Sequence, residues 1–190
     1  MIKTYKYKLR LNVTQATKFG QWLGVTRLIY NVSKARNEYY YEARGKGLSA
    51  YDLQKEVVRL KKEFEWMQEL PKDTLYAPLY RLEKAMKSFF KGNARYPRWA
   101  KKRFWNSLEF IQQGKGLRIE NGKIKIHKGI YLRYFNSRNL PEDAKIKRII
   151  VTREIDGWYA SICFETQLHQ VIPTNENQVV GVDWGIARFI

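Results

Sequence analysis

Cationic and aromatic residues are interleaved between residues 84 and 108, and no acid interrupts them. The bases of this acid-free segment are Lys84, Lys87, Lys91, Arg95, Arg98, Lys101, Lys102 and Arg103, and its rings are Phe89, Phe90, Tyr96, Trp99, Phe104 and Trp105. Cations neutralise phosphates and aromatic rings stack on bases, a pairing that nucleic-acid grooves use. A solvated helix face whose rings belong to the core would give a similar pattern. The long gap without acids favours the nucleic-acid interpretation.

Asp183 is the second residue that could do chemistry, since it ends the apolar run from Val179 to Val182. A carboxylate at the end of a buried strand can hold one of two divalent metal ions that activate water and stabilise a leaving oxygen. The same residues also fit an ordinary turn at a strand end. One carboxylate cannot hold two metals, and the contexts of Asp143 and Asp156 favour turn formation over metal binding.

The charge balance predicts a polyanionic partner. Lysine and arginine number 36 against 18 aspartates and glutamates, which gives a net charge of +18 over 190 residues. A small domain needs a net charge of only about 2–8 for solubility. Because 44% of the residues are hydrophobic and 15% aromatic, the chain can form a core and is not a disordered basic tail.

The sequence predicts neither a membrane span nor a secretory leader. No stretch approaches roughly 18 consecutive apolar residues, and residues 1–6 lack the apolar centre of a signal peptide. We therefore expect a cytoplasmic or nucleoid-associated protein with no membrane partner. Cys163 is the single cysteine, and His127 and His169 are far apart, so no zinc site is expected.

Helices are expected to fill residues 11–102. Thr14 fits the N-cap of a helical region over residues 15–44, in which Gly20 and Gly24 suggest a break into two helices.

Two later helices are expected in the same region. Ser49 and Asp52 form a capping box ahead of apolar residues at helical spacing. A further helix is expected over residues 73–91, and Pro78 is tolerable there only in the first turn or at a kink.

Strands are expected at the start of the chain and after residue 105. Residues 3–10 alternate bases with apolar residues, which predicts a half-buried strand. Asn121-Gly122 and Asp156-Gly157 each predict a hairpin turn within a mostly antiparallel region over residues 105–168.

The order of these elements predicts an α+β fold. Because the first strand has no local partner, the economical arrangement returns it to the later strands, as a small antiparallel β-barrel of the OB-like kind with a helical-bundle insertion. A polar linker is expected over residues 171–178, and the strand that ends at Asp183 would open a new domain over residues 179–190.

Several sequence motifs, taken in order, resemble the TnpB (OrfB) family of transposon-encoded RNA-guided DNA endonucleases, from which type V CRISPR effectors are thought to derive. The matching stretches are Gly24–Asn31, Leu79–Phe90, Tyr96–Trp99, Gly157–Ser161 and Gly181–Ile186. Each motif is loose by itself, whereas the ordered set covers nearly the whole chain and is specific.

The resemblance implies a domain plan. Residues 1–10 and 103–170 would form the wedge β-barrel, residues 11–102 the helical recognition lobe, and residues 179–190 the start of a RuvC-like, ribonuclease-H-like nuclease domain. Asp183 would then be a catalytic residue and a Mg²⁺ ligand in the complete protein.

The resemblance also implies the partners, which are a guide RNA from the transposon end and a double-stranded DNA target chosen by RNA–DNA pairing beside a short adjacent motif. Candidate nucleic-acid ligands are Arg27 and the eight bases of the acid-free segment. By position in the recognition lobe, Lys72 and Tyr76 are candidates for contact with the adjacent motif, and Tyr51 and Gln54 are weaker ones. Ordinary helix-surface roles remain the alternative for these four.

The chain departs from the family pattern in three places. Tyr76 and Pro78 stand where polar residues usually precede the Leu79 stretch, and Trp184 is bulkier than the usual residue after the first aspartate. The family's further glutamate and aspartate and its four-cysteine zinc ribbon are absent, so this chain should not cut DNA unaided. The sequence leaves open a shortened or nuclease-dead RNA-guided repressor and a general RNA-binding protein without a guide.

Overall fold

The computed structural model of this chain describes residues 1–111, 116–127 and 129–167, which contain three α-helices and a seven-stranded antiparallel sheet. The elements in chain order are β1 Ile2–Arg10, α1 Val13–Arg44, α2 Ala50–Glu63, α3 Lys72–Phe90, β2 Ser107–Ile111, β3 Arg118–Glu120, β4 Lys123–His127, β5 Ile130–Tyr134, β6 Lys145–Glu154 and β7 Gly157–Glu165. The expected linker over residues 171–178, the strand within residues 179–190 and Asp183 lie outside the described residues.

The opening strand returns to the later strands, as the sequence predicts. β1 lies between β7 and β5 and pairs antiparallel with both, so that Tyr7 is opposite Ala160 and Leu9 is opposite Tyr134. Every helix of the described residues is therefore inserted between β1 and the rest of the sheet. The partition of the chain into wedge, recognition lobe, linker and nuclease domains stays a prediction.

The predicted closed barrel is wrong for the described residues, because the sheet is open. Its strand order is β2-β6-β7-β1-β5-β4-β3, and the edge strands β2 and β3 do not pair with each other. β1 pairs with β7 over seven residues but with β5 only at Leu9 and Arg10. The sheet is thus two halves joined through one strand, and β3 is only three residues long, which is little backbone with which to close a barrel.

Both predicted hairpins are confirmed. Asn121 and Gly122 adopt positive φ angles of 50° and 67° in the turn between β3 and β4, as a two-residue turn of this type requires. Asp156 and Gly157 join β6 to β7, the longest pairing of the sheet.

α1 is a single helix, which corrects the expected break at Gly20 and Gly24. Asn12, and not Thr14, is the N-cap, and it forms a capping box with Gln15. Each interior glycine costs about 1 kcal/mol relative to alanine. Burial of Phe19, Trp22 and other side chains along one side of α1 outweighs that cost, because a fully buried side chain of this kind contributes roughly 1.5–3 kcal/mol.

The two later helices match their sequence signals closely. The capping box of Ser49 and Asp52 is present at the start of α2. α3 begins at Lys72, one residue before the predicted start, and continues through Pro78. Pro78 lies in the second turn, so the first-turn alternative is wrong, and the alternative of a kink stays a prediction. No helix within the described residues is long and apolar enough to cross a membrane.

The core lies between the helices and the inner face of the sheet. Phe19 contacts Trp158 of β7 with ring centroids 5.8 Å apart, and Trp22 contacts Phe110 of β2 at 6.4 Å. Leu79 and Leu82 of α3 are fully buried. These contacts fix α1 and α3 on the sheet, and the acid-free segment links the end of α3 to β2.

Candidate nucleic-acid interface

The acid-free segment presents its cations to solvent. Lys84 and Lys87 lie on α3, Arg95 and Arg98 on the extended stretch that follows, and Lys102–Phe104 form a short 3-10 turn. All eight bases of the segment are exposed. Within the described part of the chain, only Lys87 has a carboxylate within 4.0 Å, that of Glu83 at 3.4 Å. The positive charge of the other seven is therefore not neutralised by any carboxylate of the residues that the structure describes.

Most rings of the segment are exposed as well. Phe90 is 61% exposed and Phe104 69%, and Tyr96 and Trp99 also reach solvent. The alternative that these rings belong to the core holds for Trp105, which is buried. Exposed cations and exposed rings therefore occur together along the segment, a combination that nucleic-acid grooves use.

The extended stretch of the segment is held against α1 by polar contacts. Asn31 Oδ1 accepts a hydrogen bond from the Ala100 N–H at 2.8 Å, and Asn31 Nδ2 donates to the Ala100 carbonyl at 3.2 Å. The side chain thus replaces a strand partner for this one residue. The bases on either side of Ala100 are consequently presented from a fixed backbone.

A buried lysine forms a second attachment. Lys34 of α1 is only 3% exposed, and its ammonium group lies 4.9 Å from the Tyr96 ring centroid and 4.3 Å from that of Trp99. It donates to the carboxylate of Glu38 one helical turn away. Burial, together with a hydrogen bond to Glu38 and the negative charges of Glu38 and Glu42, raises the pKa of Tyr96 to about 12.

Trp105 anchors the C-terminal end of the segment. Its indole N–H donates to the Thr26 hydroxyl at 3.0 Å, and its ring packs on Tyr30 at 5.1 Å. The guanidinium of Arg81 lies 4.5 Å from the same ring. Burial raises the pKa of Tyr30, and Arg81 opposes that rise. The Gly24–Asn31 motif on α1 is thus the face on which the segment is seated.

A small pocket brings three cations from different elements together. Arg27 of α1, Lys102 of the 3-10 turn and Arg153 of β6 line it with Trp105, in a volume of about 60 Å³. Arg27 and Lys102 are sequence-predicted ligands, whereas Arg153 was missed. The alternation of residues along β6 could have indicated it. Arg153 is two and four residues from the buried Val151 and Ile149, so it lies on the same face of the strand, towards α1.

The four candidates for contact with the adjacent motif lie on α2 and α3. Two of them, Gln54 and Lys72, each contact a tyrosine of α3. Gln54 of α2 donates to the Tyr80 hydroxyl of α3 at 2.8 Å, and exposed Tyr51 precedes it by one helical turn. Lys72 is exposed at the first turn of α3, with its ammonium group 5.4 Å from the Tyr76 ring. Tyr76 itself is only 8% exposed, and burial raises the pKa of its phenol. Lys72 and Tyr51 are thus the two whose side chains stand clear of the core.

Lys72 also borders the sheet. It lines a pocket of about 340 Å³ together with Lys125 and His127 of β4. The base on α3 therefore shares a concave surface with bases of the sheet.

The metal prediction concerns Asp183, which lies outside the described residues. Within residues 1–111, 116–127 and 129–167, no three His, Cys, Asp or Glu side chains are grouped so as to hold a metal ion. Asp156, in the β6–β7 turn, is engaged by Lys8 and Tyr159 instead. The Mg²⁺ role of Asp183 stays a prediction from the resemblance.

Comparisons with known proteins agree with the motifs. A family model for the helix-turn-helix domain of OrfB from IS605 matches residues 1–46, which here form β1 and the continuous helix α1. The chain is 30% identical over 189 residues to "Putative RNA-guided DNA endonuclease InsQ" of Escherichia coli (strain K12), covering 98% of this chain and 46% of that protein.

A protein from Streptomyces pristinaespiralis with the same RNA-guided DNA endonuclease designation is 25% identical over 99% of this chain and 47% of its own length. The chain spans about half the length of these relatives. The resemblance predicted from the motifs is therefore confirmed, and along nearly its whole length this chain is similar to proteins of the TnpB (OrfB) family.

Proposed function

We propose that this chain supplies guide-RNA binding and target contact to an RNA-guided DNA endonuclease of a transposon. The observation that carries the proposal is the acid-free segment, in which seven exposed cations lack a carboxylate partner among the described residues and exposed rings stand among them. The attachments of Asn31, Lys34 and Trp105 fix this segment before any ligand arrives. A preorganised surface binds more tightly because less ordering is needed on association.

The proposal extends to the DNA target and to cleavage. Lys72 and Tyr51 are the candidates for contact with the motif beside the target, because both are exposed on the helical part of the chain. Asp183 would serve the complete protein as one of several Mg²⁺ ligands in phosphodiester hydrolysis. In that role the carboxylate would hold the ion, and the chemistry that the ion would supply is activation of water for attack on the phosphodiester.

Sequencing the RNA that co-purifies with the chain from its own host tests the guided interpretation. We expect one structured RNA from a transposon end. A heterogeneous mixture of cellular RNA would contradict the proposal and leave a general basic RNA-binding protein.

A matched pair of triple variants tests the acid-free segment. Arg98→Ala with Lys101→Ala and Lys102→Ala removes three unpaired cations, whereas Lys6→Ala with Lys8→Ala and Lys147→Ala removes three that each have a carboxylate within 3 Å. Both lower the net charge equally. We expect the first to weaken RNA binding and to reduce the slope of log affinity against log salt by up to about 2, at about 0.7 per lost contact. Equal slopes for the two variants would remove the segment from the RNA interface.

The role of Asp183 is tested in a longer protein that contains this chain and cleaves DNA. Asp183→Ala should abolish cleavage and leave RNA affinity unchanged, because a metal ligand acts in the chemical step. Cleavage at the parent rate would contradict the assignment.

A further inference from the structure

Two glycines on α1 have no packing role that explains them. Gly20 and Gly24 lie one turn apart, and a Cβ added to either would meet no heavy atom within 4 Å. Neither has the positive φ that favours glycine. Each costs about 1 kcal/mol relative to alanine in a helix interior. Their effect is that no side chain covers the backbone of α1 at these two positions.

The bare backbone forms one wall of the pocket shared by Arg27, Lys102 and Arg153. None of these three cations has a carboxylate within 4.0 Å among the described residues. They come from α1, from the turn after the extended stretch and from β6, so the fold, and not one run of sequence, gathers them. Three like charges gathered without a counter-ion repel one another and are stabilised by an anion.

An anchored aromatic side chain also lines the pocket. Trp105 lines the pocket and is fixed by its hydrogen bond to Thr26 and its contact with Tyr30. The pocket continues into a wider groove of about 840 Å³ that shares Lys102, Trp105 and Arg153 and adds Arg103.

Carboxylates also border this wider groove. Glu154 and Asp156 line it, and they are engaged by Lys6 and Lys8 respectively. Their charges are therefore largely met within the protein, and the groove stays open to a polyanion.

We propose that Arg27, Lys102 and Arg153 form a phosphate site in which the sugar–phosphate backbone of an RNA strand lies against the Gly20–Gly24 face of α1. This inference rests on the proposed RNA-binding function and adds where and how the strand is held. The small pocket suits a compact phosphate better than a planar base. Glycine permits close approach of another backbone, and arginine offers a donor fork that fits phosphate oxygens.

The test fills the glycine face without removing a charge. Gly24→Gln should lower the affinity of the 190-residue chain for a labelled single-stranded oligouridylate by about tenfold or more, because the side chain would stand where the strand lies. The thermal midpoint of the same variant should stay level or rise, because glutamine is a better helix former than glycine. The matched control is Ala35→Gln, which adds a similar side chain at another exposed position of α1 and should change neither quantity.

A second variant tests the cations. Arg153→Ala should reduce the salt slope for oligouridylate by about 0.7, the value for one phosphate contact on a single strand. Combined with Gly24→Gln it should cost less than the sum of the two single effects, because both act on one site.

The outcomes separate this site from the general function. If the parent binds oligouridylate and the Arg98, Lys101 and Lys102 triple variant weakens binding, while Gly24→Gln and Arg153→Ala bind as the parent does, the phosphate site is overturned and the proposed function stands. If the parent does not bind oligouridylate, both proposals fail.

Discussion

Two regions of this molecule are rich in lysine and arginine, and they differ in what their charges meet. On the half of the sheet formed by β6, β7 and β1, Lys6 meets Glu154 at 2.6 Å, Lys8 meets Asp156 at 2.9 Å and Arg148 meets Glu109 at 3.1 Å. In the acid-free segment only one of eight bases has a carboxylate partner within residues 1–111, 116–127 and 129–167. Cations of the strands are paired with nearby carboxylates, whereas most cations of the segment have no such partner in the described part of the chain.

The difference shows that ion pairing says more about where a polyanion can bind than the density of charged residues does. Exposed ion pairs contribute at most about 1 kcal/mol each, so the sheet's pairs do little for stability. They do cancel charge locally, and a polyanion gains less from a neutralised surface. The segment differs from the sheet in this respect. Contacts of Asn31, Lys34 and Trp105 hold its unneutralised charges in place.

The largest expected effect comes from removing the anchor of the segment. Trp105→Ala should lower the free energy of unfolding by about 3–5 kcal/mol, as for a buried tryptophan, measured by urea denaturation. Phe104→Ala, the neighbouring exposed ring, is the control and should stay within about 0.5 kcal/mol of the parent. Similar values for the two variants would mean that the segment is not seated on α1 as described.

A smaller effect is expected when the polar attachment is removed without a change of charge. Asn31→Ala leaves the half-buried Ala100 N–H and carbonyl without their partner, which should cost about 1–3 kcal/mol of unfolding free energy. RNA affinity should fall because the loosened stretch must be ordered on binding. The salt slope should not change, since the same cations remain. A reduced slope would show that Asn31 acts through the number of phosphate contacts and not through preorganisation.

Removing carboxylates from the sheet should make its cations resemble those of the acid-free segment. Glu154→Gln with Asp156→Asn releases Lys6 and Lys8 from their partners. If paired cations do not bind RNA only because carboxylates neutralise them, RNA affinity should rise modestly in this variant. The salt slope should steepen by up to about 1.4, for two added contacts at about 0.7 each. Glu63→Gln with Glu65→Gln is the control for net charge, because it removes two exposed carboxylates that have no ion pair with any described residue. An equal gain in the control would show that overall charge, and not local pairing, sets the affinity.

Local signals predicted the parts of this fold that local physics decides. Asn121-Gly122, Asp156-Gly157 and the Ser49–Asp52 capping box each specify a conformation through neighbouring residues, and all three are as predicted. The prediction of a break in α1 was wrong because the energetic cost of glycine in a helix is local. The side-chain burial that outweighs this cost depends on tertiary packing. The open sheet was missed because alternation fixes a strand's faces and not its final partner.

The candidate interface likewise has features that the sequence shows and features that depend on tertiary structure. The acid-free segment is contiguous, so its composition could be read directly. The attachments that hold it join residues 69 and 79 positions apart, Asn31 with Ala100 and Thr26 with Trp105. Arg153 reaches the pocket only through the pairing of β6 with its neighbours. Ion pairing is equally invisible in sequence, because Lys8 and Asp156 are 148 positions apart.

The smallest expected effect is the pH dependence of one paired residue of the sheet. The Tyr159 hydroxyl first, and then Lys8, lower the pKa of Asp156 from 3.8 to about 2. Because the folded-state pKa is depressed, the ionised carboxylate stabilises the fold above the unfolded pKa of 3.8, and this contribution is lost as pH falls from about 5 to about 2. The difference in unfolding free energy between the parent and Asp156→Asn should therefore be constant above about pH 5 and shrink below it. Since the pair is exposed, added salt should reduce the difference further. A difference that does not vary with pH would show that Lys8 and Asp156 are not paired in solution, and the contrast between a neutralised sheet and an unneutralised segment would then lose its clearest member.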